Sequence, residues 1–325
     1  MRKDKMKKII VVGLGNVGFT YINIAVCRGL EVEWILVDKN EDIAIAHAKD
    51  FSDMVSIMPR NGSKFRPGTL EEDGKDADIV VVCASIPANK DFSDRLALAE
   101  ANAKLMNDFG SKLKKSGFKG VVIVAANPCD VMAAVFHYAS GLPAEKVISA
   151  GTVLDSARLR KLVSYHFDID ADSVSVNMIA EHGASAMAVW STAKVGDTFI
   201  KDLPHFTEEL KEKLYEDSKK EAFEIFSRKG NTQFGIGTSL FEITSAVLEN
   251  KRRIMTIGVK LPETFKHPGI YFSIPVIVGE NGYEYLKEKM SLTDAEWERF
   301  NKASEGFCKV HNDVLSLVGV KHTFK

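Results

Sequence analysis

The sequence predicts an α/β protein with a doubly wound parallel sheet, followed by an α+β unit. Three observations carry that expectation. Strand-like runs that are apolar throughout alternate with helix-like runs over the first half of the chain, the pattern of strands covered by helices on both faces. A glycine-rich turn joins the first strand to the first helix. After about residue 150 the alternation gives way to strands and helices in no regular order.

The elements follow in order. "KKIIVV" reads as a strand ending at Gly13, and a helical run then carries Ile22, Ala25 and Val26 to Gly29. "EVEWILVD" is a second strand, "DIAIAHAKDFSDM" a helix and "ADIVVVCAS" a buried strand. "RLALAEANAKLMNDFGSKLKK" is a long amphipathic helix, and "GVVIVAAN" another wholly apolar strand. In the second half "DSARLRKLVSYHF" reads as helix, followed by strands near "SVSVNMIA" and "MAVWSTAKVG". A polar helix from about Phe206 to Lys229 and another from Thr238 precede strands at "RIMTIGV" and "YFSIPVIVG". The last helix opens at "LTDAEWERF", where Thr293 and Glu296 have the spacing of a reciprocal cap. With no repeat and no Pro/Gly-rich linker, two domains, 1–150 and 151–325, are expected to pack directly together.

Composition narrows the function classes. With 45% hydrophobic and 27% charged residues, the 325-residue chain reads as an ordinary soluble globular protein. A net charge of -1 gives no reason to expect nucleic acid or an acidic membrane as partner. The basic start "MRKDKMKK" leads into "IIVV", too short for a signal peptide, and no apolar stretch approaches a membrane span. Cys27, Cys83, Cys129 and Cys308 are scattered without a C-x-x-C, which suits the cytoplasm. No histidine or cysteine spacing suggests a metal site.

"VVGLGNVG" places Gly13, Gly15 and Gly18 between a strand and a helix. Gly13 permits the tight turn, Gly15 lets a pyrophosphate approach the backbone, and Gly18 lets helix and strand pack closely. The helix start, with Asn16 and Val17, presents N–H groups and a positive dipole end to phosphates. Asp38 closes the second strand about twenty residues on. A carboxylate there accepts ribose hydroxyls and repels a 2′-phosphate, so the expected cofactor is NAD rather than NADP. Ala84 and Ser85, after the third apolar strand, are expected to border the same site.

Four later segments place polar groups beyond the carboxyl ends of strands, where such sheets bind ligands. Asn127 and Pro128 end the "GVVIVAAN" strand, Asp155 and Arg158 share a helix face, His182 follows a strand, and Arg95 opens the long helix. Each alone has an ordinary structural reading: a turn, a solvated ion pair, a strand-end histidine, a surface charge. Together they are what oxidation of a 2-hydroxy acid with hydride transfer requires. His182 supplies a base oriented by Asp155, and Arg158 a two-pronged clamp for the carboxylate. Arg95 and Asn127 can stabilise charge on the reacting oxygen.

The chain resembles the NAD-dependent L-lactate/malate dehydrogenase family over nearly its whole length. "GLGNVG", "LVD", "AKDFSD", "NPCD", "GTVLDSARLR", "EHG", "KGNTQFGIG" and "YFSIPVIVGENG" carry the resemblance. It implies a Rossmann fold with a catalytic C-terminal domain, Asp155 and His182 as the proton-relay pair and Arg158 as carboxylate anchor. It further implies Asn127 as the carbonyl-contacting asparagine, Arg95 as the mobile-loop arginine, Thr232, Gly235 and Ile236 along the substrate, and a homodimer or homotetramer.

Departures from the family pattern concentrate in the substrate loop, which from Ala84 to Arg95 is one residue longer than in typical members. It offers Ala88 or Asn89 where malate enzymes carry a second arginine and lactate enzymes a glutamine. A second carboxylate would lack a paired cation unless Lys90 supplied one. The loop is more similar to that of L-2-hydroxyisocaproate dehydrogenases, so a roomier, less polar pocket and a branched or bulky 2-oxo acid are expected, with pyruvate as the alternative. Ala184 replaces the acidic neighbour usual after "EHG", and Ser175 stands where sugar-phosphate-activated members carry a histidine, although Arg160 matches their arginine. Strong activation by fructose 1,6-bisphosphate is therefore not expected. Two other classes compete. NAD-dependent glycosidases share a related fold but need a Cys-His metal site, and a non-catalytic NAD-binding protein would be expected to lack His182, Asp155 or Arg158.

Overall fold

The computed structural model of the chain describes residues 6–86, 95–320 and 322–324, the side chains of 95–97 excepted. In chain order the first half holds β1 (Lys8–Val12), α1 (Asn16–Cys27), β2 (Glu33–Val37), α2 (Glu41–Ile57), β3 (Lys64–Pro67), α3 (Leu70–Asp73), β4 (Ile79–Val82), α4 (Arg95–Ser116), β5 (Val121–Val124), α5 (Cys129–Ser140) and β6 (Val147–Ser149). The second half adds α6 (Val153–Phe167), β7 (Val174–Ile179), β8 (Met187–Val195), β9 (Thr198–Phe199), α7 (Glu208–Lys229), α8 (Phe234–Leu248), β10 (Arg253–Lys260), β11 (Tyr271–Gly279), β12 (Gly282–Tyr285) and α9 (Asp294–Leu317).

Six strands form a parallel sheet in the order β3-β2-β1-β4-β5-β6. That is the doubly wound order of dinucleotide-binding sheets, with its crevice where the order reverses beside β1. β1, β4 and β5 are nearly or fully buried along their length because helices cover both faces. The sheet continues past β6. β10 pairs antiparallel to it through Gly258 and Ser149, and β11 and β12 follow, giving nine strands that draw on both halves of the chain. A separate antiparallel sheet, β7-β8-β9, packs with α6 and α7 around a second core that includes Leu159, Val176, Met178, Phe206 and Tyr215.

Several elements differ from the sequence reading. α5 was not anticipated because its residues are buried almost all round, and a helix without a polar face gives no 3.6-residue periodicity. β6 and β12 are too short to stand out. α8 starts at Phe234 rather than Thr238, since Gln233 gives no side-chain cap and Gly235 and Gly237 disguise the first turn. The cap on the last helix is reciprocal, with Thr293 and Glu296 each bonding the other's backbone N–H. Among the described residues, no helix is long and apolar enough to cross a membrane. No cluster of three or more His, Cys, Asp or Glu among them could hold a metal ion.

α9 is locked to the large sheet by His311, which is fully buried. Its Nε2 accepts the Tyr271 backbone N–H at 3.0 Å, while Nδ1–H faces the Phe307 carbonyl at 3.1 Å. Burial pushes its pKa down to about 4, and burial together with Lys260 does the same to His137. Groups depressed from 6.5 contribute stability above that pH and lose it as pH falls through about 4. His311→Leu should cost about 1–3 kcal/mol at neutral pH by orphaning the Tyr271 N–H. It should also reduce the loss of stability on acidification, measured by denaturant unfolding across that range; an undiminished acid slope would contradict the assignment.

Candidate active site

At the reversal point of the sheet, the chain leaves β1 through Gly13, whose φ of +91° lies in the left-handed region that favours glycine. A Cβ there would fall 2.4 Å from the Ala84 backbone nitrogen, so the ends of β1 and β4 approach too closely for a side chain. A Cβ on Gly18 would fall 2.0 Å from the Gly13 carbonyl oxygen, which fixes how α1 sits against the turn. At Gly15 a Cβ would meet nothing within 4 Å, and no side chain caps the first turn of α1. The helix start therefore faces open space with its N–H groups, Asn16 exposed and Val17 half-buried beside it.

Asp38 follows β2 and binds the turn directly. One oxygen accepts the Leu14 N–H at 2.8 Å and the other the Asn40 N–H at 3.1 Å. These bonds hold a carboxylate beside the glycine turn, with Ala84 and exposed Ser85 on the β4 side. An open, uncapped helix start next to a fixed carboxylate fits NAD, with Gly15 available to pyrophosphate and Asp38 to ribose hydroxyls.

The catalytic end is built by stitching α6 to β7. Thr152 Oγ1 donates to the Met178 carbonyl at 2.6 Å, and Ser156 Oγ accepts the Met178 N–H at 2.9 Å. Ser156 also meets Thr256 of β10 at 3.1 Å. These buried bonds set the height of Asp155 relative to the strand that leads to His182. Beyond β7, Ala180 pairs with Ser273 of β11 through two backbone bonds at 2.9 and 2.8 Å, at a φ of +79°. A non-glycine residue there is strained, and the next residues are Glu181 and His182.

His182 Nδ1 lies 2.5 Å from Asp155 Oδ2, and Asp155 Oδ1 accepts Arg158 Nη1 at 3.4 Å. Burial alone would lower the His182 pKa, but the Asp155 carboxylate outweighs it, helped by Asp130, and pushes it up to about 9. Burial likewise opposes ionisation of Asp155, yet His182 and Arg158 keep it below the usual carboxylate range. Arg158 is 7% exposed and lines a cavity of about 250 Å³. Thr232 and Gly235 line that cavity with Leu154, Lys161, Glu221 and Lys229; Ile236 instead packs against the large core.

Asn127 is exposed at the end of β5, and its carbonyl accepts Asn102 Nδ2 at 3.0 Å. Asn102, buried in α4, also accepts the Ile86 N–H at 2.7 Å, so one side chain ties the start of the substrate loop to Asn127. A single asparagine within an amphipathic helix gave no sequence signal. Asp130 accepts the His182 backbone N–H at 2.9 Å, a contact that its place in "NPCD" does not reveal. Arg95 opens α4, but its side chain lies outside the described residues, as do Ala88, Asn89 and Lys90.

The Asp38 geometry has a direct consequence. Asp38→Ala should weaken NADH binding about tenfold and narrow the preference over NADPH, read by fluorescence titration of both cofactors. Equal affinities in variant and parent would contradict the ribose assignment.

Two family models divide the chain between them. The lactate/malate dehydrogenase NAD binding domain matches residues 7–149, and the lactate/malate dehydrogenase alpha/beta C-terminal domain matches 152–317. An L-lactate dehydrogenase of Mycoplasmoides gallisepticum is 39% identical over 325 residues, covering 98% of this chain and 100% of the relative. One from Mycoplasmopsis pulmonis is 40% identical over 316 residues, covering 95% and 98%. The crystal structure of a lactate dehydrogenase from a Medee basin deep-sea metagenome library superposes with a TM-score of 0.89 at 32% identity, over 96% of this chain and 100% of the other. The minor L-lactate dehydrogenase of Enterococcus mundtii gives a TM-score of 0.90 at 30% identity, over 97% and 99%. The chain belongs to the lactate/malate dehydrogenase family and is an NAD-dependent 2-hydroxyacid dehydrogenase.

Proposed function

We propose that the chain is an L-lactate dehydrogenase interconverting pyruvate and L-lactate. The observation that carries this reading is Arg158, which is at once a member of the Asp155–His182 cluster and a wall of the cavity. One cation thus places a small 2-oxo carboxylate next to the proton-transfer group. The relatives that bear the name L-lactate dehydrogenase support pyruvate over larger acids. The described wall mixes Lys161, Glu221 and Lys229 with Leu154, Ala157, Ile225 and Phe234, and Ala88 and Asn89, on which the branched or bulky expectation rested, lie outside the described residues.

NAD, when bound, supplies the hydride acceptor. Arg158 clamps the substrate carboxylate through parallel hydrogen bonds. Asp155 engages Nδ1 of His182 and so leaves Nε2 to exchange a proton with the substrate oxygen. With its pKa raised to about 9, His182 is an imidazolium at neutral pH, the form that protonates the oxygen of a 2-oxo acid. Asn127 is assigned to the substrate carbonyl and Arg95 to the developing charge on the reacting oxygen. The four cysteines form no disulfide, which supports a reducing, cytoplasmic setting. Ser175 in place of a histidine supports an enzyme without strong fructose 1,6-bisphosphate activation.

NADH consumption with pyruvate, 4-methyl-2-oxopentanoate, phenylpyruvate and oxaloacetate tests the reading. Pyruvate should give the highest kcat/KM. Pyruvate reduction should decline as pH rises through about 9, while lactate oxidation rises over the same window. A preference for 4-methyl-2-oxopentanoate or phenylpyruvate would restore the bulky-acid reading, and parallel pH trends in the two directions would reject His182 as the proton carrier.

A further inference from the structure

Asp130 is a carboxylate with only 1% exposure, and the reaction described above gives it no part. It sits in the first turn of α5. Its Oδ2 accepts the His182 backbone N–H at 2.9 Å, and its Oδ1 accepts Ser149 Oγ–H at 2.7 Å. Ser149 Oγ in turn accepts the Gly151 N–H at 3.1 Å, at the turn into α6. A Cβ on Gly258 of β10 would fall 2.1 Å from Oδ1, so glycine leaves the carboxylate its room. Four segments therefore converge on one buried acid: α5, the end of β6, β10 and the His182 loop.

We propose that Asp130 is a positioning residue for His182. It holds the loop through the His182 backbone N–H and adds a second negative charge near the imidazole, favouring the protonated ring. The inference rests on His182 as the proton-transfer residue. The charged and titratable groups acting on the pair are Asp155 and Arg158 from α6, Glu181 from the same loop and Cys129 on α5. The flanking strands contribute only Ser149 and Gly258. Burial pushes the Asp130 pKa up to about 6, with the His182 N–H and Ser149 holding it from going higher, so the carboxylate is ionised at neutral pH. Imidazolium and Arg158 then face three carboxylates, Asp155, Asp130 and Glu181. Loss of the His182 proton deepens the excess of negative charge, which in a poorly solvated site favours retaining the proton.

Asp130→Asn keeps the shape, and its amide oxygen can still accept the His182 N–H. The midpoint of the pH profile of kcat/KM for pyruvate reduction should fall by about one unit. Diethyl pyrocarbonate, which attacks only neutral imidazole, should modify His182 about tenfold faster near neutrality, with His182→Asn identifying that site among the other histidines. A lower melting temperature or kcat with an unmoved midpoint and unchanged modification rate would overturn the proposal. Ser149→Ala retains the carboxylate and its bond to His182, and Asp130 stays ionised where His182 titrates, so the midpoint should stay at or above the parent value. Should Asp130→Asn fail to fold, Asp130→Ser, which keeps an oxygen on the side chain but no charge, carries the same test, and an unmoved midpoint there overturns the proposal. If the parent enzyme reduces none of the 2-oxo acids, the lactate dehydrogenase reading fails separately, while the modification rate still decides on Asp130.

Discussion

A carboxylate and an imidazolium removed from water each resist burial, and the close contact between Asp155 and His182 makes the arrangement tolerable. With Nδ1 and Oδ2 2.5 Å apart, the ring keeps a proton it would otherwise shed on burial, and the carboxylate keeps its charge. The pair also fixes which ring nitrogen of His182 is engaged, Nδ1, and which is left free, Nε2, while Asp155 Oδ1 accepts Arg158 from the same helix. Removing either member would leave the other buried without its partner, a loss of about 3–5 kcal/mol for a fully buried pair and less here, where the side chains are 26% and 16% exposed.

Much of the fold can be understood as what holds that pair in register. Asp155 belongs to a helix and His182 to a loop, so their separation depends on how α6 sits against β7. Thr152 and Ser156 set it by bonding Met178 on both its carbonyl and its N–H. The Ala180–Ser273 bridge then carries the same frame into the large sheet through a strained φ. The glycine turn, built on β1 and β4 of that sheet, and the His182 loop, pinned to β11, therefore share one scaffold. This is how a reaction between two separately bound molecules obtains a fixed geometry.

The parts legible in sequence were those whose chemistry is local. "VVGLGNVG" with Asp38 specifies a turn, an uncapped helix start and a carboxylate within one βαβ unit, and the structure joins Asp38 to Leu14 by a direct bond. The parallel sheet was legible because its central strands are buried on both faces and read as unbroken apolar runs. Asp155 and Arg158 were readable as a pair because one helical turn separates them. What stayed hidden depends on contacts between distant segments. Asn102 matters through Ile86 and Asn127, Asp130 through Ser149 and His182, and Glu221 through its ion pair with Lys161 across two helices.

The central claim is that Asp155 makes His182 a cation at neutral pH despite burial. It is tested most directly by following the ring nitrogens of His182 by NMR against pH, in the parent chain and in Asp155→Asn, with His182→Asn identifying the resonance. The account expects a parent pKa near 9 and a fall of at least one unit in Asp155→Asn. A parent value at or below the ordinary 6.5, or one that Asp155→Asn leaves in place, would contradict it.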